Sequence, residues 1–112
     1  GPYSHAVEAG GFVFASGQLA LAADGSGPIP GTAAEEARIA LANLKAVLEA
    51  AGSCLENVVK TTVFITDMGE FGAVNEAYAE FFTVNPPARS CVQVAALPKG
   101  LQVEIEAVAL LR

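Results

Sequence analysis

Positive charge is scarce in this chain: six Lys and Arg stand against twelve Asp and Glu, for a formal net charge of −6. The six cations (Arg38, Lys45, Lys60, Arg89, Lys99 and Arg112) are scattered along the sequence. No basic patch is offered to a phosphate backbone, which argues against nucleic-acid binding as the main role. Tryptophan is absent, and His5, Cys54 and Cys91 are the only residues of their kinds. Without a second half to any CxxC pair, neither a zinc site nor a disulfide framework is expected. No apolar run approaches the length of a membrane span, and no charged n-region with an apolar h-region opens the chain. A reducing, cytoplasmic setting is the expectation, and a start at Gly1 without methionine suits a processed or truncated N-terminus. The turn-rich loop Ala23-Asp24-Gly25-Ser26-Gly27-Pro28 contains neither GxGxxG nor GKS/T, so it is no phosphate cradle.

Apolar residues, by contrast, are plentiful. They make up 53% of 112 residues, and the mean hydropathy is +0.45. That length gives one domain, residues 1–112, with a core of its own. The apolar excess is more than a small monomer needs, so buried contacts between subunits are expected.

Periodicity then orders the elements. Gly10-Gly11 reads as a hairpin turn between strands at Ala6-Val7-Glu8 and Phe12 to Ser16. Gly17-Gln18 ends the second strand, with a residue that lets backbone approach a ligand or another chain closely. Thr32 and Glu35 form a capping box, and Ala37, Ala40, Leu41, Leu44, Val47, Leu48 and Ala51 make one helical stripe. Gly52 ends that helix, and Ser53 to Glu56 resembles a second, smaller capping box. Val58 to Ile65 is β-branched almost throughout and lacks clean alternation, as in a strand covered on both faces. A second helix is expected from about Glu70 to Phe82, burying Phe71, Val74, Tyr78, Phe81 and Phe82. After it come a strand around Arg89 and a last strand from Gln102 to Leu110. The order ββαβαββ predicts an α+β fold, a mixed sheet with two helices on one face.

The chemistry gathers at Pro86-Pro87-Ala88-Arg89-Ser90-Cys91-Val92-Gln93-Val94. Two prolines hold the entry extended, and a strand period of two points Arg89 and Cys91 to the same face. A guanidinium fork fits a carboxylate bidentately, so a small anionic substrate is one reading; an ion pair to a structural carboxylate is the other. In the last strand Glu104 and Glu106 share the face opposite Val103, Ile105 and Ala107. They are either a solvated strand surface or, for one of them, a group that holds water or partners Arg89. Asn75 reads as a helix-face residue, and His5 as a surface one.

Six stretches match one known pattern in order: Gly1-Pro2-Tyr3-Ser4, Ser16-Gly17-Gln18, Asn43 to Gly52, Val59 to Phe64, Pro87 to Val92, and Val103 to Ala107. On these the chain resembles the RidA (YjgF) family of reactive-intermediate imine deaminases. The resemblance implies a chorismate-mutase-like fold, assembled as a homotrimer with a site in each cleft between subunits. It implies hydrolysis of 2-imino or 2-enamino acids to 2-keto acids and ammonia, with no cofactor and no metal. Arg89 would grip the substrate carboxylate, and Cys91 with the Gly17 carbonyl would hold the imine nitrogen. Glu104 would position or activate water, while Tyr3, Phe71 and Asn75 would line the cleft. Rival readings are a non-catalytic trimer that binds small carboxylates, an endoribonuclease, and a chaperone-like protein.

Overall fold

Residues 1–112 are described by a computed structural model. Five strands form one sheet: β1 (Ala6–Ala9), β2 (Phe12–Gln18), β3 (Val58–Ile65), β4 (Ala88–Gln93) and β5 (Val103–Leu110). Their spatial order is β1-β2-β5-β3-β4. All neighbours are antiparallel except β3 and β4. A parallel pair needs a crossover, and α2 (Phe71–Ala79) supplies it between β3 and β4. The longer α1 (Ala33–Ala50) lies between β2 and β3 in sequence. No helix is long and apolar enough to cross a membrane.

Both helices pack on one sheet face, as the sequence order predicts. Ala37, Ala40, Leu41, Leu44 and Leu48 of α1 are fully buried and share one core with Val13, Val63, Ile65, Val74, Val103 and Ile105. Thr32 caps α1 as expected: its hydroxyl accepts from the Glu35 N–H, and the Glu35 carboxylate accepts from the Thr32 N–H. Acid at this end also complements the helix dipole.

Four local expectations are corrected. Ser53 makes no capping box; its hydroxyl donates to the Leu110 carbonyl at 2.6 Å, and the short turn Leu55–Asn57 has no side-chain cap. Joining the chain to the end of β5 outcompetes the local bond. The second helix is shorter than its apolar stripe suggests, because a 3₁₀ turn at Met68–Glu70 precedes it and the regular helix stops at Ala79. Its buried residues are accordingly Val74, Ala77 and Tyr78, with Phe82 just beyond, whereas Phe71 is exposed and Phe81 half-buried. Finally, β3 is covered on one face only within the chain. Thr61, Val63 and Ile65 are buried under the helices, while Thr62 and Phe64 on the other face are half-open.

One buried carboxylate ties the helix layer to the sheet. Glu36 is 3% exposed, and it accepts from the backbone N–H groups of Gln102 and Val103 and from the Gln102 amide. A carboxyl group that deep is tolerated because both of its oxygens accept hydrogen bonds. Glu36→Ala should cost about 2–3 kcal/mol, since it strands those donors as well as losing their bonds. Thermal denaturation checks this, with Glu35→Ala as an exposed control of smaller effect.

Candidate active site

The strand register decides which candidate residues meet. Arg89 lies opposite Thr61 and Cys91 opposite Val63, and both partners are fully buried beneath the helices. Residues opposite one another share a face, so Arg89 and Cys91 project to the helix side of the sheet. There the Arg89 Nη1 donates to Asn75 Oδ1 at 2.7 Å. Its guanidinium carbon lies 4.9 Å from the centre of the Tyr78 ring and 5.5 Å from that of Phe71, within the range where a cation is drawn to an aromatic face. Phe71, Asn75 and Tyr78 stand four and three residues apart on α2, so one helix face makes the whole cradle.

Arg89 has no carboxylate partner in the chain. The only ion pair is Arg38 with Glu80, at 2.9 Å on the surface. The structural reading of Arg89 therefore fails within the chain: its acceptor is a neutral amide, which fixes one nitrogen and leaves the cation uncompensated. A cavity of about 380 Å³ opens beside it, lined by Asn75, Tyr78, Phe82, Pro86 and Pro87. A larger hollow of about 520 Å³ beside α1 is almost wholly apolar, with His5 its single titratable side chain.

Cys91 is half-buried and free. Burial pushes its thiol above the usual range, opposed by the nearby Arg89 charge. The protonated form is thus the resident one, which makes it a polar neighbour and not a standing thiolate nucleophile.

Glu104 belongs to the other face. It lies opposite Phe64, pointing away from the helices, with Gly17 against it. A Cβ at Gly17 would overlap the Glu104 carboxyl group, so glycine here lets the carboxylate lie against the β2 backbone where any side chain would displace it. The approach arises from a bulge: Ala15 opposes Ala107 but Gln18 opposes Ile105, three steps on β2 against two on β5. The extra residue turns Gln18 into the core and seats Gly17 beside the carboxylate. Burial raises the Glu104 pKa first, and the like charge of Glu106 raises it further.

Tyr3 is exposed ahead of β1, edge to face with His5 at 6.0 Å. The Ser16 hydroxyl holds this N-terminal segment by donating to the Ser4 carbonyl. Tyr3 and Arg89 therefore sit near opposite edges of a five-stranded sheet, about 19 Å apart at normal strand spacing. The candidates do not meet within one chain. Arg89, Cys91, Asn75 and Phe71 gather at the β4 edge on the helix side; Glu104, on the central strand β5, has Gly17 against it on the other face; and Tyr3 stands apart, ahead of β1. A Glu104–Arg89 partnership within one chain, open on the sequence alone, is excluded by the register. Sequence reasoning also missed Tyr78, which it counted as core, though its spacing from Phe71 and Asn75 on α2 carried the signal.

The chain thus presents an α+β fold with an uncompensated guanidinium beside a protonated thiol on one sheet face and a half-buried carboxylate on the other. Comparison with known proteins specifies it further. The family model described as endoribonuclease L-PSP matches residues 1–111, and the chain belongs to that family, also known as YjgF or RidA. It is 50% identical over 109 residues to the 2-iminobutanoate/2-iminopropanoate deaminase of Mus musculus, covering 97% of this chain and 81% of that one. The protein of the same description from Homo sapiens is 48% identical over 110 residues, covering 98% and 80%. Among solved structures, E. coli TdcF with bound serine superposes with a TM-score of 0.93 at 44% identity, covering 100% of this chain and 90% of that one.

The raised Glu104 pKa has a sign that can be checked. A carboxyl whose folded pKa exceeds its unfolded one favours folding most below the unfolded value of about 4.3, and that advantage is lost as pH rises through the folded pKa. Glu104→Gln removes the penalty, so the variant should melt above wild type near neutral pH, the gap closing in acid. Thermal melts across that pH range check it; a gap that widens in acid would contradict the assignment.

Proposed function

We propose that this protein hydrolyses 2-imino and 2-enamino acids to 2-keto acids and ammonia, without a cofactor, in clefts between subunits of a chorismate-mutase-like homotrimer. The observation that carries the reading is Arg89, cradled by Asn75, Phe71 and Tyr78 yet unpaired with any carboxylate in its own chain. A cation positioned in advance and left uncompensated is a clamp for a small carboxylate. The deaminase relatives support the reaction class.

The division of the candidates supports the assembly. Arg89 of one copy and Glu104 of the same copy point to opposite faces, so a site using both takes one group from each of two chains. Such a head-to-tail contact joins unlike surfaces, and a threefold rotation between copies would close it into the proposed ring. Phe12, Phe14 and Val92 are exposed on the face that carries Glu104, which is apolar surface a neighbouring subunit would cover.

In such a cleft Arg89 holds the substrate carboxylate and fixes the C=N carbon for attack. Glu104 takes a proton from water as the water oxygen bonds to the carbon of the protonated imine, whose C=N π electrons move to nitrogen, giving a neutral tetrahedral aminoalcohol. Glu104 returns that proton to the nitrogen; the C–N bond then breaks as Glu104 takes the hydroxyl proton and the C=O bond forms, releasing ammonia and the keto acid, and the carboxyl finally gives its proton to solvent. The burial that raises the Glu104 pKa suits it to move a proton in both directions. Cys91, as a thiol, accompanies the Gly17 carbonyl at the imine nitrogen. No covalent intermediate is needed, because an imine is already electrophilic.

A second reading is favoured by one observation: a relative was solved with serine bound, so the clefts of this chain would serve as a carboxylate sensor. Turnover separates the two. The family description names an endoribonuclease, but the net charge of −6 and the scattered cations count against RNA binding by this chain. Arg89→Ala should abolish keto-acid release from 2-aminoacrylate generated in situ, measured above the enzyme-free rate, while the mass in solution stays three times 11.4 kDa. Retained activity would sink the clamp, and wild type that binds keto acids without turnover would establish the sensor.

A further inference from the structure

Tyr78 and Thr61 form the one hydrogen-bonded side-chain pair inside the core, and the clamp described above gives it a purpose. Thr61 is fully buried and Tyr78 is 7% exposed. Their hydroxyl oxygens stand 2.7 Å apart, joining β3 to α2. Thr61 is also the residue directly opposite Arg89 in the sheet. The Tyr78 ring, tied at its far end to the strand beside Arg89, presents its face to the guanidinium at 4.9 Å.

A buried pair of hydroxyls costs desolvation, and an apolar pair of the same shape would pack there at little loss. What an apolar pair would not give is direction. Core packing buries the Tyr78 ring, with the Phe82 ring 4.8 Å away and tilted by 36°, but apolar contacts are non-directional and do not by themselves set where its hydroxyl end lies. The hydroxyl bond pins the ring at its tip, and so pins the surface on which Arg89 rests. Arg89 itself is a long side chain on an edge strand with much rotamer freedom to lose. Asn75 fixes Nη1 alone, which leaves rotation about that contact for the ring to stop.

We propose that Thr61 and Tyr78 are positioning residues for the Arg89 clamp: their hydrogen bond locks the aromatic face that holds the guanidinium ready for a substrate carboxylate. This rests on the deaminase reading for its kinetic consequence but not for its structural one. The Tyr78 phenol stays in its neutral form, since burial raises its pKa, so the lock persists across ordinary pH. The contribution is to binding, because the carboxylate is gripped alike in the ground and transition states.

Two readouts on the full-length protein test it. The chain has three arginines, so the Nε–H signal of Arg89 is identified by its loss in Arg89→Lys. Thr61→Val keeps shape and removes the lock; Tyr78→Phe removes it from the other side and keeps the ring. Both should shift and broaden the Arg89 Nε–H signal, and raise KM for 2-imino acids about tenfold with kcat changed less than about twofold. Thr61→Ser, which restores a hydroxyl, should recover both. An unmoved Arg89 signal and wild-type KM in folded Thr61→Val and Tyr78→Phe would overturn the proposal, even if both melt lower. If wild type itself shows no turnover, the deaminase reading falls, and the Arg89 signal alone still decides whether the lock exists.

Discussion

The alternation of side chains across a β-sheet is the constraint from which the rest of this molecule follows. Thr61, Val63 and Ile65 are committed to the core by the helices above them. Register then carries that commitment sideways, so Arg89 and Cys91 must share their face. The same pairing sends Glu104 to the opposite side, beside Phe64. A slip of one residue would exchange the two sets, burying Glu104 and Glu106 under the helices at a cost no pairing in the core offsets. The separation of the clamp from the carboxylate is therefore as firmly held as the core.

Each half is prepared separately. On the helix side, α2 supplies an acceptor and two rings to one cation, and places no acid against it. On the open side, a single-residue bulge in β2 brings Gly17 against Glu104 and turns Gln18 inward. Desolvation then raises the carboxyl pKa. Neither half has the means to orient and hydrate an imine by itself: one lacks a base, the other a carboxylate anchor. In the proposed assembly, the β4 edge of one copy against the open sheet face of another would supply both, and would cover the apolar surface that Phe12, Phe14 and Val92 leave open.

Much of this was legible in the sequence. The Gly10-Gly11 hairpin, the Thr32–Glu35 capping box and the alternation in β5 each carry their structure locally, and the structure agrees with each. Arg89 and Cys91 sharing a face followed from a period of two. The errors arose where a distant partner outcompeted a local one. Ser53 bonds to Leu110 across the fold, and the Phe81 and Phe82 run extends the apolar stripe past the last regular turn of α2. The incomplete alternation in β3 reflects an open face that carries Phe64 beside Lys60 and Thr62, plus a register shift between Val58 and Lys60. That Glu104 and Arg89 point apart was invisible without the strand order. Tyr78 as part of the cradle needed Arg89 to be placed against α2.

The most direct test of the split site is complementation. Arg89→Ala and Glu104→Gln, each inactive alone, would be unfolded together in equal amounts, refolded as mixed assemblies, and assayed for keto-acid release from 2-aminoacrylate. If each cleft draws its clamp and its carboxylate from different chains, random mixing restores both groups in about one cleft in four, and activity returns to about a quarter of wild type. If both groups act from one chain, every site retains a lesion and the mixture stays dead, which would contradict the account.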